Sequence, residues 1–185
     1  IIMRIIAGQF RSRRLKGTPP VGIRPTSDKL RETIFNIVGP RIEGAVFLDG
    51  CAGMGAMGIE AISRGAAQVY FIDESRKATR IIKDNLDSLD IKDGFKILEM
   101  NLTKALNMLS ILFDIAFIDP PYVREDLYLA SLERFGTRPL LAPDGLLIIE
   151  HSKRTELPES AGSLHKVRSL VQGDAALAFY RPESM

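Results

Sequence analysis

The sequence predicts an α/β domain built on a doubly wound, mostly parallel seven-stranded sheet, with a small basic β/α extension at its N-terminus. Three observations carry that prediction. From Gly44 onward, short β-rich runs alternate with helical patterns. The strand runs are apolar throughout rather than alternating, as expected of a parallel sheet covered by helices on both faces. After Pro158 the alternation stops, and KVRSLVQGDAALAFYRP reads as two strands around Gly173, an antiparallel finish. The boundary falls between residues 1–41, the extension, and residues 42–185, the main domain.

Each element has its own signal. MRIIAGQFRSRRLKG reads as a basic hairpin or extended arm, and TSDKLRETIFNIV as a helix whose apolar face is Leu30, Ile34, Ile37 and Val38. AVFLDGC (45–51) is a buried strand, followed by a glycine-rich turn and a helix from about Ala56 that Gly65 closes. QVYFID (68–73) is the second strand. SRKATRIIKDNLDSL (75–89) is amphipathic, with Ala78, Ile82, Leu86 and Leu89 on one face and Ser75 as its cap. FKILEM, a short helix near 103–110, FDIAFI, a helix across about 125–135, and GLLIIEH complete the alternation. No repeat and no low-complexity tract interrupts it.

Composition narrows the class. The chain has 185 residues, 45% of them hydrophobic, enough for one compact core. A single cysteine, Cys51, leaves no internal disulfide and no multi-cysteine zinc cluster, so no metal is expected and a reducing, cytoplasmic compartment is. No apolar run approaches membrane-spanning length, and arginines punctuate the N-terminus where a signal peptide would be apolar. Ile1 and Ile2 precede Met3, which reads as the natural start. The overall charge of +2 is uneven: residues 1–41 carry nine basic side chains against Asp28 and Glu32, a net +7. A basic arm on an acidic body fits a polyanion, because neutralising phosphates releases their counterions; a solvated basic surface is the plainer alternative.

Gly53-Met54-Gly55-Ala56-Met57-Gly58 follows a strand and opens a helix, and Asp73 ends the next strand. This is formally a dinucleotide fingerprint, with Asp73 placed for a ribose hydroxyl. Asp49, just before the turn, favours a different ligand. A carboxylate there attracts a cation and repels a pyrophosphate. S-adenosylmethionine has an ammonium, a sulfonium and no phosphate, so it fits better than a nicotinamide cofactor, and Asn101 is placed to meet its adenine. Cys51 falls in the same turn and is counted with Asp49, Gly53, Gly55, Asp73 and Asn101 among the cofactor-binding residues; its thiol is inert, with no neighbour to activate it.

FIDPPYVRED (117–126) ends an apolar strand on a carboxylate, two prolines and a tyrosine. The prolines stiffen the turn and lack amide hydrogens. The Asp119 carboxylate and the Pro120 carbonyl can accept both N–H groups of an exocyclic base amine. Such an amine is a poor nucleophile until it pyramidalises, and two preorganised acceptors favour that geometry. Tyr122 offers a stacking face to a base that has left its stack.

The D-P-P-Y run resembles the amino-group class of S-adenosylmethionine-dependent methyltransferases. Together, MRIIAG, RPTSDKLRETIFN, DGCAGMGAMGIEAISRGA, FIDPPY, IIEH and GDAALAFYR resemble the bacterial RsmD-type family, from Met3 to Arg181 and in the same order. The resemblance implies a Rossmann-like methyltransferase domain acting on the N2 amine of guanine 966 of 16S ribosomal RNA, in the small subunit or its assembly intermediate. It implies Asp119, Pro120, Pro121 and Tyr122 as the catalytic motif, Asp49, Gly53 and Gly55 as the cofactor turn, and Asp73 as the ribose acid. Arg24, Thr26, Asp28 and Arg31 fall in an N-terminal signature assigned to the RNA-facing side of the pocket. Three positions depart from the family pattern: Gly50-Cys51 stands for Leu-Phe, Met54 for a small hydroxyl residue, and Asn101 for aspartate. Altered cofactor affinity is the expected result.

Arg11, Arg13, Arg14 and Lys16 are assigned to phosphate contacts. His151, at the end of the fifth strand, is a candidate RNA contact or proton relay, with a solvent-facing loop histidine as the alternative. N6 of adenine, protein glutamine, or a non-catalytic RNA-binding assembly factor remain as other targets or roles.

Overall fold

The computed structural model describes residues 3–17 and 26–183. Arg24, one of the RNA-facing assignments, lies outside the described residues. Among the described residues, five α-helices and eight strands, with a 3-10 turn at Gly39–Ile42, follow in the order α1 (Asp28–Val38), β1 (Val46–Gly50), α2 (Ala56–Ser63), β2 (Gln68–Asp73), α3 (Arg76–Ser88), β3 (Phe95–Glu99), α4 (Leu102–Met108), β4 (Phe113–Ile118), α5 (Glu125–Thr137), β5 (Leu141–Ser152), β6 (Ser160–Ala161), β7 (Leu164–Gln172) and β8 (Ala175–Pro182). One sheet holds all the strands in the order β3-β2-β1-β4-β5-β8-β7-β6. β1 to β5 pair in parallel, and β5, β8, β7 and β6 pair antiparallel. The eighth strand, beyond the seven expected, is the two-residue β6, too short to leave a sequence pattern. None of the described helices is long and apolar enough to cross a membrane.

Side-chain alternation along the central strands builds two cores. Phe47, Phe71, Ile115, Phe117, Ile148 and Phe179 face one side, with α1, α2 and α3; Leu48, Ile72, Ala116, Ile118, Leu147, Ile149 and Tyr180 face the other, with α4 and α5. This is why the strands read as continuous apolar runs: both faces are covered. Because β1 lies between β2 and β4, the chain winds outward in both directions from it. The crevice at the carboxyl ends of β1 and β4 is the topological switch point where such sheets bind ligands.

β5 begins earlier than expected. Ala142-Pro143-Asp144-Gly145 reads as a turn, but the strand runs through it as an irregularity: Phe113 pairs with Leu141, and Ile115 with Leu146. Pro143 and Asp144 lie exposed in that interruption, where a residue with no amide hydrogen is tolerated.

The N-terminal extension is not a free arm. Met3–Leu15 folds back on itself, with Arg4 bridging Arg14 and the Leu15 amide donating to the Met3 carbonyl. Met3, Ile5 and Leu15 are buried in the first core with Leu30, Ile34 and Phe35 of α1. The fully buried Glu60 of α2 accepts from the amides of Ile6 and Ala7 at 2.8 and 3.0 Å, and Ser63 from Phe10 at 3.0 Å. Asn85 of α3 accepts from the Lys16 amide at 2.6 Å and donates to its carbonyl at 3.1 Å. The backbone is pinned, and Arg11, Arg13, Arg14 and Lys16 are exposed on it, with the Arg13 guanidinium donating to the Ser88 carbonyl at 3.1 Å.

The third glycine of the turn serves packing. A Cβ on Gly58 would come within 2.2 Å of Phe71 Cε1, so α2 lies hard against β2 only because Gly58 has no side chain. Gly58→Ala is expected to cost about 1–3 kcal/mol, as overpacked cores do. At roughly 2–4 °C per kcal/mol for a chain of this size, thermal melting reads it directly, and an unchanged Tm counts against the packing role.

Candidate active site

β1 ends on Asp49 and Gly50, and the chain turns through Cys51 to Gly55 into α2. Cys51, Gly53 and Gly55 have φ of 61°, 57° and 78°, the left-handed conformations that let the turn double back. Cys51 adopts this conformation with a side chain, an uncommon arrangement for a non-glycine residue. A Cβ on Gly53 would meet nothing within 4 Å. Its amide donates to Asp73 Oδ2 at 2.8 Å, and the Ser75 amide to Asp73 Oδ1 at 2.9 Å, so Asp73 holds the turn and the start of α3 together. Asp49 is buried and accepts from the Gly58 amide at 2.8 Å.

At the end of β4 the Asp119 amide donates to the Gly50 carbonyl at 3.1 Å, which sets the D-P-P-Y run beside the glycine turn. The Arg124 amide donates to the Pro121 carbonyl at 2.8 Å and closes the loop. Pro120 is buried, Pro121 exposed, and Tyr122 37% exposed at the rim. The resulting cavity, about 390 Å³, is lined by Asp49, Cys51, Gly53, Asp73, Asn101, Asp119, Pro120, Pro121 and Tyr122, among others. It therefore brings together all the expected catalytic residues and every expected cofactor residue except Gly55, which lies buried behind the turn against Ile82 and Phe71.

Electrostatically the cavity is acidic and partly dry. Burial pushes the Asp49 carboxyl up to about 8, offset in part by the Gly58 amide and reinforced by Asp73. Burial also raises Asp73, against the two amides it accepts from. Asp119 is raised well above the carboxylate range by burial first, then by the like charge of Glu150, with the Thr26 hydroxyl opposing and Asp49 adding to it. Burial and the surrounding acids push the Cys51 thiol up as well, so it stays protonated and unreactive. Arg124 is the only basic side chain of the described lining, and it is engaged bidentately by Asp126 at 2.9 Å.

A pocket of these dimensions, with an open-faced glycine turn and four carboxylates, Asp49, Asp73, Glu74 and Asp119, suits a small ligand that carries positive charge and ribose hydroxyls. It is a poor cradle for a pyrophosphate. The residues present therefore fit S-adenosylmethionine: Asp73 and Asp49 would hold its hydroxyl and cationic groups, with the turn beneath them.

Thr26 lines the cavity, buried, with its hydroxyl 3.3 Å from Asp119 Oδ2 and 3.0 Å from Glu150 Oε2. Three other sequence assignments are placed differently. Arg31 is fully buried, and its Nη2 donates to the Arg4 carbonyl at 2.6 Å and to Asp28 Oδ1 at 2.8 Å. Its guanidinium ties α1 to the hairpin and cannot reach a phosphate from there. Asn101 lines the cavity, but its amide oxygen caps α4, accepting from Thr103 and Lys104, and its nitrogen donates to Glu74. The oxygen expected to accept from adenine is thus committed to the helix. His151 lies on the opposite face of β5 from Glu150, buried edge-on against Tyr128, with Nδ1 2.9 Å from the Ser152 carbonyl and no place in the cavity lining.

Sequence reasoning passed over Glu150 in favour of His151. The signal was available in strand alternation, since Ile148 faces the first core and position 150 shares its side.

The family model described as Conserved hypothetical protein 95 matches residues 3–181. The chain is 36% identical to YlbH of Bacillus subtilis, by name a candidate rRNA methyltransferase, over 97% of this chain and 98% of that one. It is 33% identical to Ribosomal RNA small subunit methyltransferase D of Escherichia coli, over 98% and 91%. The solved structure of Escherichia coli yhhF superposes with a TM-score of 0.87 at 33% identity, covering 100% of this chain and 99% of that one.

Proposed function

The chain belongs to the RsmD-type family of Conserved hypothetical protein 95, and on that footing we propose that it methylates the exocyclic N2 amine of guanine 966 in 16S ribosomal RNA. Its class is plain: an S-adenosylmethionine-dependent rRNA methyltransferase. The base and position are the finer reading. They rest on the family resemblance; the observation that supports amine methylation itself is the D-P-P-Y turn held against the glycine turn by the bond from the Asp119 amide to the Gly50 carbonyl.

Bound S-adenosylmethionine supplies an electrophilic methyl group. The chain's own residues prepare the amine. Asp119 and the Pro120 carbonyl accept its two N–H groups, drawing the nitrogen lone pair out of the ring. Holding the reactants in line contributes up to roughly 7–11 kcal/mol, and fixed acceptors stabilise the charge that develops on nitrogen. Tyr122, at the rim, stacks on the extruded base. Its neighbour Val123, 89% exposed, extends that apolar lip.

The hairpin supplies the electrostatic part of RNA binding. Arg11, Arg14 and Lys16 are exposed on a backbone fixed by Glu60, Ser63 and Asn85, so their charges are presented at set positions. Arg14→Ala should weaken binding to all RNA sequences alike and reduce the slope of log affinity against log salt by roughly 0.7–0.9, one counterion's worth. A titration series across salt concentrations checks it, and an unchanged slope removes Arg14 from the interface. We assign the substrate to the small ribosomal subunit or its assembly intermediate.

The test is methyl transfer from labelled S-adenosylmethionine to small subunits lacking the modification, with naked 16S RNA in parallel, followed by nucleoside digestion. N2-methylguanosine at one site is the expected product. Label in N6-methyladenosine reassigns the base, and an absence of label with cofactor bound overturns the proposal.

A further inference from the structure

We propose that Glu150, acting through the Thr26 hydroxyl, is a positioning residue that makes Asp119 the proton acceptor of the methyl transfer. The inference rests on the methyltransferase reading above and assigns a role within that same site.

Three elements converge to make the arrangement. Asp119 follows β4, Glu150 ends β5, and Thr26 precedes α1; the Thr26 hydroxyl sits between the two carboxylates, 3.3 Å from Asp119 Oδ2 and 3.0 Å from Glu150 Oε2. Thr26 and Glu150 are buried, at 7% and 4% exposure. A threonine has one hydroxyl hydrogen, so it can donate to only one of the two acceptors at a time. With both carboxylates ionised, the second contact is oxygen against oxygen in a dry setting. One proton shared within the group removes that repulsion, the usual outcome when two carboxylates occupy one site.

The surroundings leave Asp119 few other influences. From β1, Asp49 adds to its proton affinity, as Glu150 does from β5 and burial does before either. From the N-terminal segment the Thr26 hydroxyl works the other way, stabilising the ionised form. Tyr128 of α5 and Cys51 after β1 feel the Asp119 charge but stay neutral. No cationic group of the described residues acts on it.

Chemistry gives this a use. When nitrogen bonds the methyl carbon, the new bond takes the nitrogen lone pair, and the electrons of the broken carbon–sulfur bond stay on sulfur. Nitrogen then carries a positive charge and must lose a proton. That proton passes to an Asp119 oxygen, its bonding pair remains on nitrogen, and Asp119 later returns it to water. An ordinary carboxylate binds a proton weakly at neutral pH, whereas one facing a second buried carboxylate is a better match.

The two partners act in opposite directions, which makes the proposal testable without RNA. In the full-length protein, carbon-13 NMR of labelled aspartate carboxyls follows Asp119, identified by the signal lost in Asp119→Asn. Glu150→Gln should move the Asp119 midpoint down by about one pH unit or more. Thr26→Val should move it up. The acid limb of the kcat profile should move with each midpoint, while S-adenosylmethionine affinity stays within about twofold. An Asp119 midpoint that stays put in folded Glu150→Gln overturns the inference, and an unmoved midpoint in Thr26→Val does so equally should Glu150→Gln not fold. Methyl transfer by the wild type without these movements rejects the pair alone. Movements without any methyl transfer reject the methyltransferase reading, and the role of the pair with it.

Discussion

Asp119→Ala is expected to lose on the order of a hundredfold or more in kcat while binding S-adenosylmethionine nearly as tightly as the wild type. Asp119 reaches the cavity from the end of β4, and the glycine turn is held by Asp73 and Asp49 without its help. On the proposed mechanism, deleting it removes an acceptor for the amine and leaves the cofactor side standing. Loss of one preorganised group at a site of developing charge costs about 10²–10³ in rate. Single-turnover methylation under saturating cofactor, beside calorimetric titration of the cofactor, separates the two effects. Turnover near the wild-type rate would sink the assignment of Asp119, and a collapse of cofactor binding would make it structural.

The second large effect is on stability. The Asp49 carboxyl titrates near 8 when folded, above its value in an unfolded chain, because burial disfavours its charge. The folded protein thus retains a proton that the unfolded chain surrenders at lower pH. The stability this contributes is fully present below pH ~4 and is lost as pH rises through about 8. At 1.36 kcal/mol per unit, the full swing approaches roughly 5 kcal/mol. Asp119, raised in the same sense, adds to it. In the ligand-free protein, denaturant midpoints should fall between pH 5 and pH 8.5, and Asp49→Asn should flatten that fall and surpass the wild type at the alkaline end. Parallel curves for the two proteins would refute the burial effect. A cationic ligand next to Asp49 would reverse it, so added S-adenosylmethionine should restore stability most at alkaline pH.

Local signals in the sequence carried the secondary structure a long way. QVYFID became β2 at the expected bounds, and Ser75 caps α3 with its hydroxyl on the Ala78 amide. These features are legible because neighbouring residues decide them. The D-P-P-Y and glycine turns were legible for a related reason, since prolines and glycines restrict or free the backbone wherever they occur. Residues whose role depends on distant partners were not. Thr26 belongs by sequence to a basic segment, yet its acceptors lie 93 and 124 positions away. Arg31 reads as one more surface charge until the hairpin closes over it. Asn101 looks like a ligand contact, and only the start of α4 shows that its oxygen has a prior commitment.

Those separations also govern the timing of assembly. The basic hairpin leaves the ribosome before its anchors: Glu60, which holds Ile6 and Ala7, follows 54 and 53 residues later, and Asn85 trails Lys16 by 69. Thr26 waits longer, for Glu150, a delay of roughly 6–25 s at ordinary elongation rates. Contacts of such long range slow folding, because loop closure must be completed before they form. A nascent chain therefore carries its polyanion-attracting segment past ribosomal RNA while the pocket it serves does not yet exist. Charge comes early and chemistry late.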